Sequence, residues 1–381
     1  MSLAEPDIRP SSPSPRSAYR RLTIGTQPRD RVEERHRLAA VGQRFRDAEV
    51  AAIYLVNGTF CGDDPFGLAA QLDRRAAWLA RRIRRTTNYW IDATFGDAGN
   101  FTPGYARQLE CGLADADGRG PRARRLFWSG ENHHLARATG ALLVLDELAR
   151  HSWRADERIA FFTQSHGGNV LALATRLLAE PEWREKFFAA AEVFAHSDDA
   201  RAAHPLWHRV RRRLERGDWS FSPEQLDIVT LGSPIIYPFA ADGCGQLLHL
   251  VNHRPRPELP ETRTSLPQSL DDFGSGADGD YIHQIGITGS NFAPSLLLWR
   301  QFRANLRLRD LFGADHAWRD YLARLRAGQR VRDVGTTLLI DYGEAARHWL
   351  HHLNGHGVYT HRQWLVPQLE VIAGALYDAR P

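Results

Sequence analysis

The chain has 381 residues, 43% of them hydrophobic, and a formal net charge of +4. That length can bury a large core, and no stretch approaches the ~20 uninterrupted apolar residues that a membrane-spanning helix needs. Three cysteines, Cys61, Cys111 and Cys244, are odd in number and far apart, which excludes a disulfide framework and any metal-binding cysteine spacing.

The positive charge is almost wholly arginine, because Lys186 is the only lysine. Arginines alternate with acids, as in Arg29-Asp30-Arg31-Val32-Glu33-Glu34-Arg35, the pattern of a solvated surface. A nucleic-acid binder concentrates its basic residues, so no nucleic-acid partner is expected.

In chain order, residues 1–20 are rich in Ser, Pro and Arg and lack an apolar centre. They read as a disordered arm and not as a Sec signal peptide, which points to a cytoplasmic location with non-classical export as the alternative. Residues 21–381 read as one domain. A short strand near Leu22–Ile24 and a helix over Arg31–Arg46 come first. Val50–Val56 is a strand by its β-branched and aromatic content, and Asn57–Gly67 after it is a glycine-rich, turn-forming loop. Crossover helices are expected at about Leu68–Arg84, Leu135–His151 and Val170–Ala179. Before the second of these, Leu126–Trp128 reads as a strand, and Ser129 or Asn132 as a helix cap or pocket residue.

Ile159–Gln164 forms an apolar, aromatic strand that stops at Ser165-His166-Gly167-Gly168. Two helical insertions are expected, near 181–222 and 295–332. In the first, Trp207, Val210 and Leu214 share a helical face and should pack on the core. Leu226–Leu231 leads into Gly232-Ser233-Pro234, and Leu247–Asn252 is another strand-like run. Thr336–Ile340 reads as a strand that ends at Asp341. A glycine-flanked loop, Leu353–His361, precedes a final amphipathic helix. Strands alternating with helical patterns predict an α/β fold with a mostly parallel central sheet flanked by helices.

Ser165 carries the chemistry. A serine at a sharp strand-to-helix turn is held out at the carboxyl end of the sheet, with the first helical N–H groups aimed towards it. The nucleophile-elbow pattern is Gly-x-Ser-x-Gly; here the five positions are Thr163-Gln164-Ser165-His166-Gly167, with threonine in place of the first glycine. Threonine is small enough for a turn that presses strand against helix.

Strand, glycine-rich loop, elbow and a strand ending in Gly-Ser-Pro occur here in that order. This set resembles the α/β-hydrolase superfamily, in particular its lipase and esterase branch. The resemblance implies a carboxylic ester hydrolase working through an acyl-enzyme, with no cofactor. It implies an oxyanion hole from the backbone of Thr59 or Phe60 and of His166. It also implies a histidine and an acid placed after Ser165. His356, between two glycines before the last helix, is the expected base, with His361 as the alternative. Asp341, at a strand's carboxyl end, is the expected acid; Asp280, in a glycine-rich stretch, is the alternative. The substrate would be a small-molecule or lipid ester, and an insertion over the site would allow peripheral membrane contact. The competing reading is a catalytically inactive hydrolase-fold binding or scaffold module. His348, His352 and His356 are spaced four apart beside His351, but no His-Glu-x-x-His pattern accompanies them and no metal is expected.

Overall fold

The computed structural model describes residues 19–378, apart from 68, 70–71, 73–75, 196–203, 290, 293, 295–297, 314–317, 333 and 344–352. Residues 1–18 of the expected arm and the histidines at 348, 351 and 352 therefore lie outside the described residues, while Tyr19 and Arg20, expected to end the arm, belong to a strand instead.

Seven strands form one sheet: β1 (Tyr19–Thr23), β2 (Val50–Val56), β3 (Arg122–Leu126), β4 (Arg158–Gln164), β5 (Leu226–Leu231), β6 (Gln246–Asn252) and β7 (Thr336–Asp341). Their order across the sheet is β1-β7-β6-β5-β4-β2-β3, and every pairing is parallel. Parallel neighbours require a crossover between them. Helices α1 (Arg31–Asp47), α2 (Ala77–Phe95), α3 (Pro103–Leu113), α4 (His134–Leu148) and α5 (Gly167–Ala179) belong to the first part of the chain. They are followed by α6 (Pro181–Ala195), α7 (His204–Arg216), a short α8 (Leu270–Ser275), α9 (Tyr281–Ile287), α10 (Trp299–Leu311), α11 (Trp318–Ala327) and α12 (Leu365–Leu376).

The sheet is buried on both faces, which is why its central strands are continuous apolar runs. On β4, Ile159 and Phe161 enter a core built with α4, α5, α6 and α7. Ala160 and Phe162 point the other way, into a core with α1, α3 and α12. That alternation is the period of two expected of a strand. On α12, Leu365, Leu369 and Ile372 are each at most 1% exposed, and burying each contributes roughly 1.5–3 kcal/mol.

Several expected elements shift. The helix expected over Leu68–Arg84 is described as α2, which continues to Phe95. The strand expected at Leu126–Trp128 ends at Leu126, because the paired residues are the alternating Arg122–Leu126. The cap of α4 is His133, its Nδ1 accepting from the Ala136 N–H at 3.0 Å, and not Ser129 or Asn132; Asn132 instead lines the cavity described below. The first insertion packs as expected, with Trp207, Val210 and Leu214 buried and Trp207 stacked on Phe187 at 5.4 Å. None of the three lines the cavity described below.

One consequence of the strand order fixes the site. The chain runs outward from β2 to β3 and then returns to place β4 on the other side of β2. Loops leaving the carboxyl ends of β2 and β4 diverge there and open a crevice, the place where open α/β sheets bind ligands.

Candidate active site

Two loops meet at that crevice. Asn57-Gly58-Thr59-Phe60 leaves β2, and Ser165 ends β4. Ser165 has φ +52°, a left-handed conformation that costs a non-glycine residue of order 1–3 kcal/mol. Five non-glycine residues have positive φ among the described residues, and four of them (Phe60, Ser165, Leu353 and Asn354) line one cavity. Strain concentrated in this way marks a site held in place by its surroundings.

The surroundings do hold it. The Ser165 N–H donates to the Leu231 carbonyl at 3.1 Å, and its own carbonyl accepts from Gly168 at 3.1 Å. A Cβ on Gly167 would lie 2.7 Å from the Val56 carbonyl oxygen, so the elbow closes on β2 only with glycine there. Gly58 is as constrained, because a Cβ on it would sit 2.4 Å from the Ser165 Cβ. Asn57 anchors the loop from below: its side chain donates to Asn100 at 2.7 Å and accepts from the Phe101 N–H at 2.8 Å. Ser233, of the Gly-Ser-Pro sequence, donates to the Thr163 carbonyl at 3.3 Å and braces the strand beneath the elbow.

The oxyanion-hole alternatives separate on hydrogen bonding. The Phe60 N–H is spent on the Gly130 carbonyl at 2.9 Å, so Phe60 cannot offer a donor to a ligand. Among the described residues the Thr59 and His166 N–H groups make no such bond, and both residues line the cavity. The pair of free donors is therefore Thr59 and His166.

The expected histidine reaches the site, while the acid expected first does not. His356 Nδ1 lies 2.8 Å from Asp280 Oδ2, and both residues are buried, at 5% and 0% exposure. A carboxylate on Nδ1 holds the ring proton there and leaves Nε2 as the acceptor. Among the described residues His356 Nε2 is buried without a hydrogen-bond partner, and the residue lines the same cavity as Ser165. Asp341 faces elsewhere: its carboxylate takes Arg254 Nη2 at 3.3 Å and the Gly343 N–H at 2.9 Å. It ends β7, one strand beyond β6, and the carboxylate on His356 is that of Asp280 and not that of Asp341. The alternative histidine, His361, is part-exposed between two short helical turns, also outside the cavity lining.

Asp280 is delivered by a detour. The chain leaves β6 at His253, wanders through residues 254–278, and returns to bridge His253 through Gly279. The Asp280 N–H then donates to the carbonyl of Asn252, the last residue of β6, at 3.0 Å. In space the acid stands at the carboxyl end of β6, although in sequence it lies far from it. Its Oδ1 caps α9 by accepting from the His283 N–H at 2.8 Å, and Oδ2 also accepts from the Tyr359 hydroxyl at 3.0 Å. The histidine loop docks on the same turn: Asn252 Nδ2 donates to the Gly355 carbonyl at 3.0 Å, and the Tyr281 N–H to that of Asn354 at 3.2 Å.

Sequence reasoning missed Tyr359, Asn252 and the His166 side chain. The first two brace the acid and the histidine loop, and no local motif announces them. The His166 imidazole lies 2.9 Å from the Asn169 amide, which donates to Nδ1 and leaves the proton on Nε2. Burial, then the Arg137 guanidinium and His356, push its pKa well below the usual histidine value, so the ring stays neutral. Its position directly after the serine was the available signal.

The cavity holds about 990 Å³, at the upper end of the range for ligand sites. Apolar side chains dominate its walls: Phe60 and Phe66 from the β2 loop, Leu79, Ile83, Trp90 and Ile91 from α2, and Ile282 and Ile285 from α9. Polar groups line it too, among them Gln164, Ser165, His166 and His356. In comparisons with known proteins, the chain matches no family model, no curated protein and no solved structure.

Proposed function

We propose that the chain is a serine hydrolase of the α/β-hydrolase type that cleaves carboxylic esters in the manner of a lipase, phospholipase or esterase. The observation that carries this reading is the buried Asp280–His356 pair, whose unpartnered Nε2 belongs to the same cavity as the strained Ser165. The order of the functional loops along the sheet supports it as well. The donor loop follows β2, the serine follows β4, the acid sits at the end of β6, and the histidine comes after β7.

The residues take roles in sequence. His356 Nε2 accepts the Ser165 hydroxyl proton as Oγ attacks the ester carbonyl carbon, and Asp280 stabilises the imidazolium that forms. The carbonyl electrons move onto oxygen, where the Thr59 and His166 N–H groups receive them. Collapse expels the alcohol, which takes the proton from His356 and leaves an acyl group on Ser165. Water then attacks with His356 again as base, and the carboxylic acid departs. An apolar cavity of this size suits an acyl chain, and so favours a lipid or other hydrophobic ester.

A fluorophosphonate probe tests the reading. It should label the parent protein and fail to label Ser165→Ala, as read by gel fluorescence and intact mass. A folded parent that stays unlabelled would overturn the proposal. The oxyanion loop gives a second expectation. Gly58→Ala forces a methyl into the Ser165 side chain and displaces the Thr59 donor, so ester turnover should fall by about 10²–10³. Turnover at the parent rate would show that the Thr59 N–H takes no part.

A further inference from the structure

Exposed aromatic side chains gather around the cavity. Phe66, Phe292 and Trp90 are 70%, 65% and 61% exposed, and Phe60 lies between the two phenylalanines with ring centroids at 6.2 and 6.4 Å. Helix α2 runs along the same opening. Its cavity-lining residues Leu79, Ile83, Thr87, Trp90 and Thr94 recur every three or four positions and form one stripe. A second stripe, Trp78, Arg81, Arg85 and Tyr89, follows the same spacing on the side of the helix turned away from the first. Trp78 and Tyr89 are 64% and 69% exposed, and both arginines are exposed too.

The charges on this helix are one-sided. Arg81, Arg82 and Arg85 make no ion pair among the described residues, whereas arginines elsewhere on the surface are commonly matched to acids, as in Arg154–Asp156 or Arg211–Glu215. The helix has one acid, Asp92, and it is held by Arg125 at 2.9 Å. An exposed face that mixes tryptophan and tyrosine with free arginines suits an interface that is apolar at depth and anionic at its surface.

We propose that the outer face of α2, with the phenylalanine rim beside it, docks this protein onto an anionic lipid surface. The docking places Trp78 and Tyr89 at headgroup depth and Arg81 and Arg85 on lipid phosphates. It concerns binding alone and holds whether or not Ser165 is a nucleophile. The aromatic residues supply attraction to any bilayer; the arginines select the anionic one, and their contribution falls with added salt.

The test uses the full chain carrying Ser165→Ala, so that no lipid is consumed, in flotation with vesicles of phosphatidylcholine alone or mixed with phosphatidylglycerol. Retention on the mixed vesicles, release by salt and little retention on pure phosphatidylcholine are expected. Arg81→Gln with Arg85→Gln should weaken retention by about tenfold or more, since each arginine near such a surface contributes about fivefold. Neither residue lines the cavity, and an unchanged melting temperature certifies the fold of the double variant. Equal retention on both vesicle types, retention on neither, or parent-like retention of the folded double variant would each overturn the proposal.

Discussion

Asp280→Asn is expected to lower ester turnover by on the order of 10⁴, while Asp341→Asn leaves it close to the parent rate. The asparagine amide fits the site by size. Its oxygen can keep the cap on the His283 N–H, and the Tyr359 hydroxyl retains the Asn252 N–H at 2.7 Å. What changes is the partner of His356. An NH₂ facing Nδ1 donates where the carboxylate accepted, so the ring proton moves to Nε2 and the lone pair that should take the Ser165 proton is lost. The imidazolium also loses its counter-charge. At Asp341 the exchange touches a part-exposed pair with Arg254, worth about 0–1 kcal/mol, and the amide oxygen can still accept from Gly343. Steady-state kinetics on a chromogenic ester, with fluorophosphonate labelling rates alongside, measure both variants. An active Asp280→Asn protein beside a dead Asp341→Asn protein would reverse the assignment of the acid.

The two aspartates also mark where the sequence stops being legible. Local features could be read: β4, Ser165 and the helix after it are contiguous, and the strand-turn-helix sequence constrains the backbone on its own. The parallel α/β sheet was readable for the same reason, from apolar strands alternating with helical patterns. The expected helix Arg31–Arg46 and the observed Arg31–Asp47 start at the same residue, where Asp30 caps the helix through the Val32 and Glu33 N–H groups, and differ by one residue at the other end. The acid depends on something non-local. A strand followed by His253-Arg254-Pro255 has no carboxylate next to it in sequence, and only the return bridge between His253 and Gly279 brings one back. Asp341 is adjacent in sequence to a strand end, a property that Asp280 has only in space. The choice between Thr59 and Phe60 as oxyanion donor is non-local for a related reason. Nothing in Thr59-Phe60 reveals that the Phe60 N–H is already given to Gly130, a residue from the loop after β3.

The fold should weaken steeply when the pH drops below about 6.5, well before the carboxylates with ordinary pKa values titrate. Four histidines are buried and neutral: His166, His249, His253 and His283, at 5%, 1%, 1% and 0% exposure. Burial is the main cause, and nearby guanidinium groups add to it. Arg332 acts on His249, Arg330 on His253, and both act on His283. The His249 and His253 pKa values fall to about 3, and those of His166 and His283 lie well below the usual value. In the unfolded chain each would titrate near 6.5. Below that pH the unfolded state takes up protons that the folded state refuses, so stability rises with pH across this window and is lost as pH falls. At pH 5.5 each histidine forfeits about 1.4 kcal/mol, or about 5–6 kcal/mol for the four, comparable with the whole stability of many domains. Asp63 opposes this. Burial raises its carboxyl to about 6, so acidification favours the folded state there, by about 1 kcal/mol at pH 5.5. The net slope remains that of roughly three protons taken up on unfolding. Urea unfolding at intervals between pH 7.5 and 5 measures it, and His253→Gln, which can still donate to the Glu261 carbonyl, should flatten the slope by about one proton. A stability that stays level from pH 7 to 5 would mean that these rings are hydrated or protonated in the native protein, and that the guanidinium-lined interior around His283 holds its charges some other way.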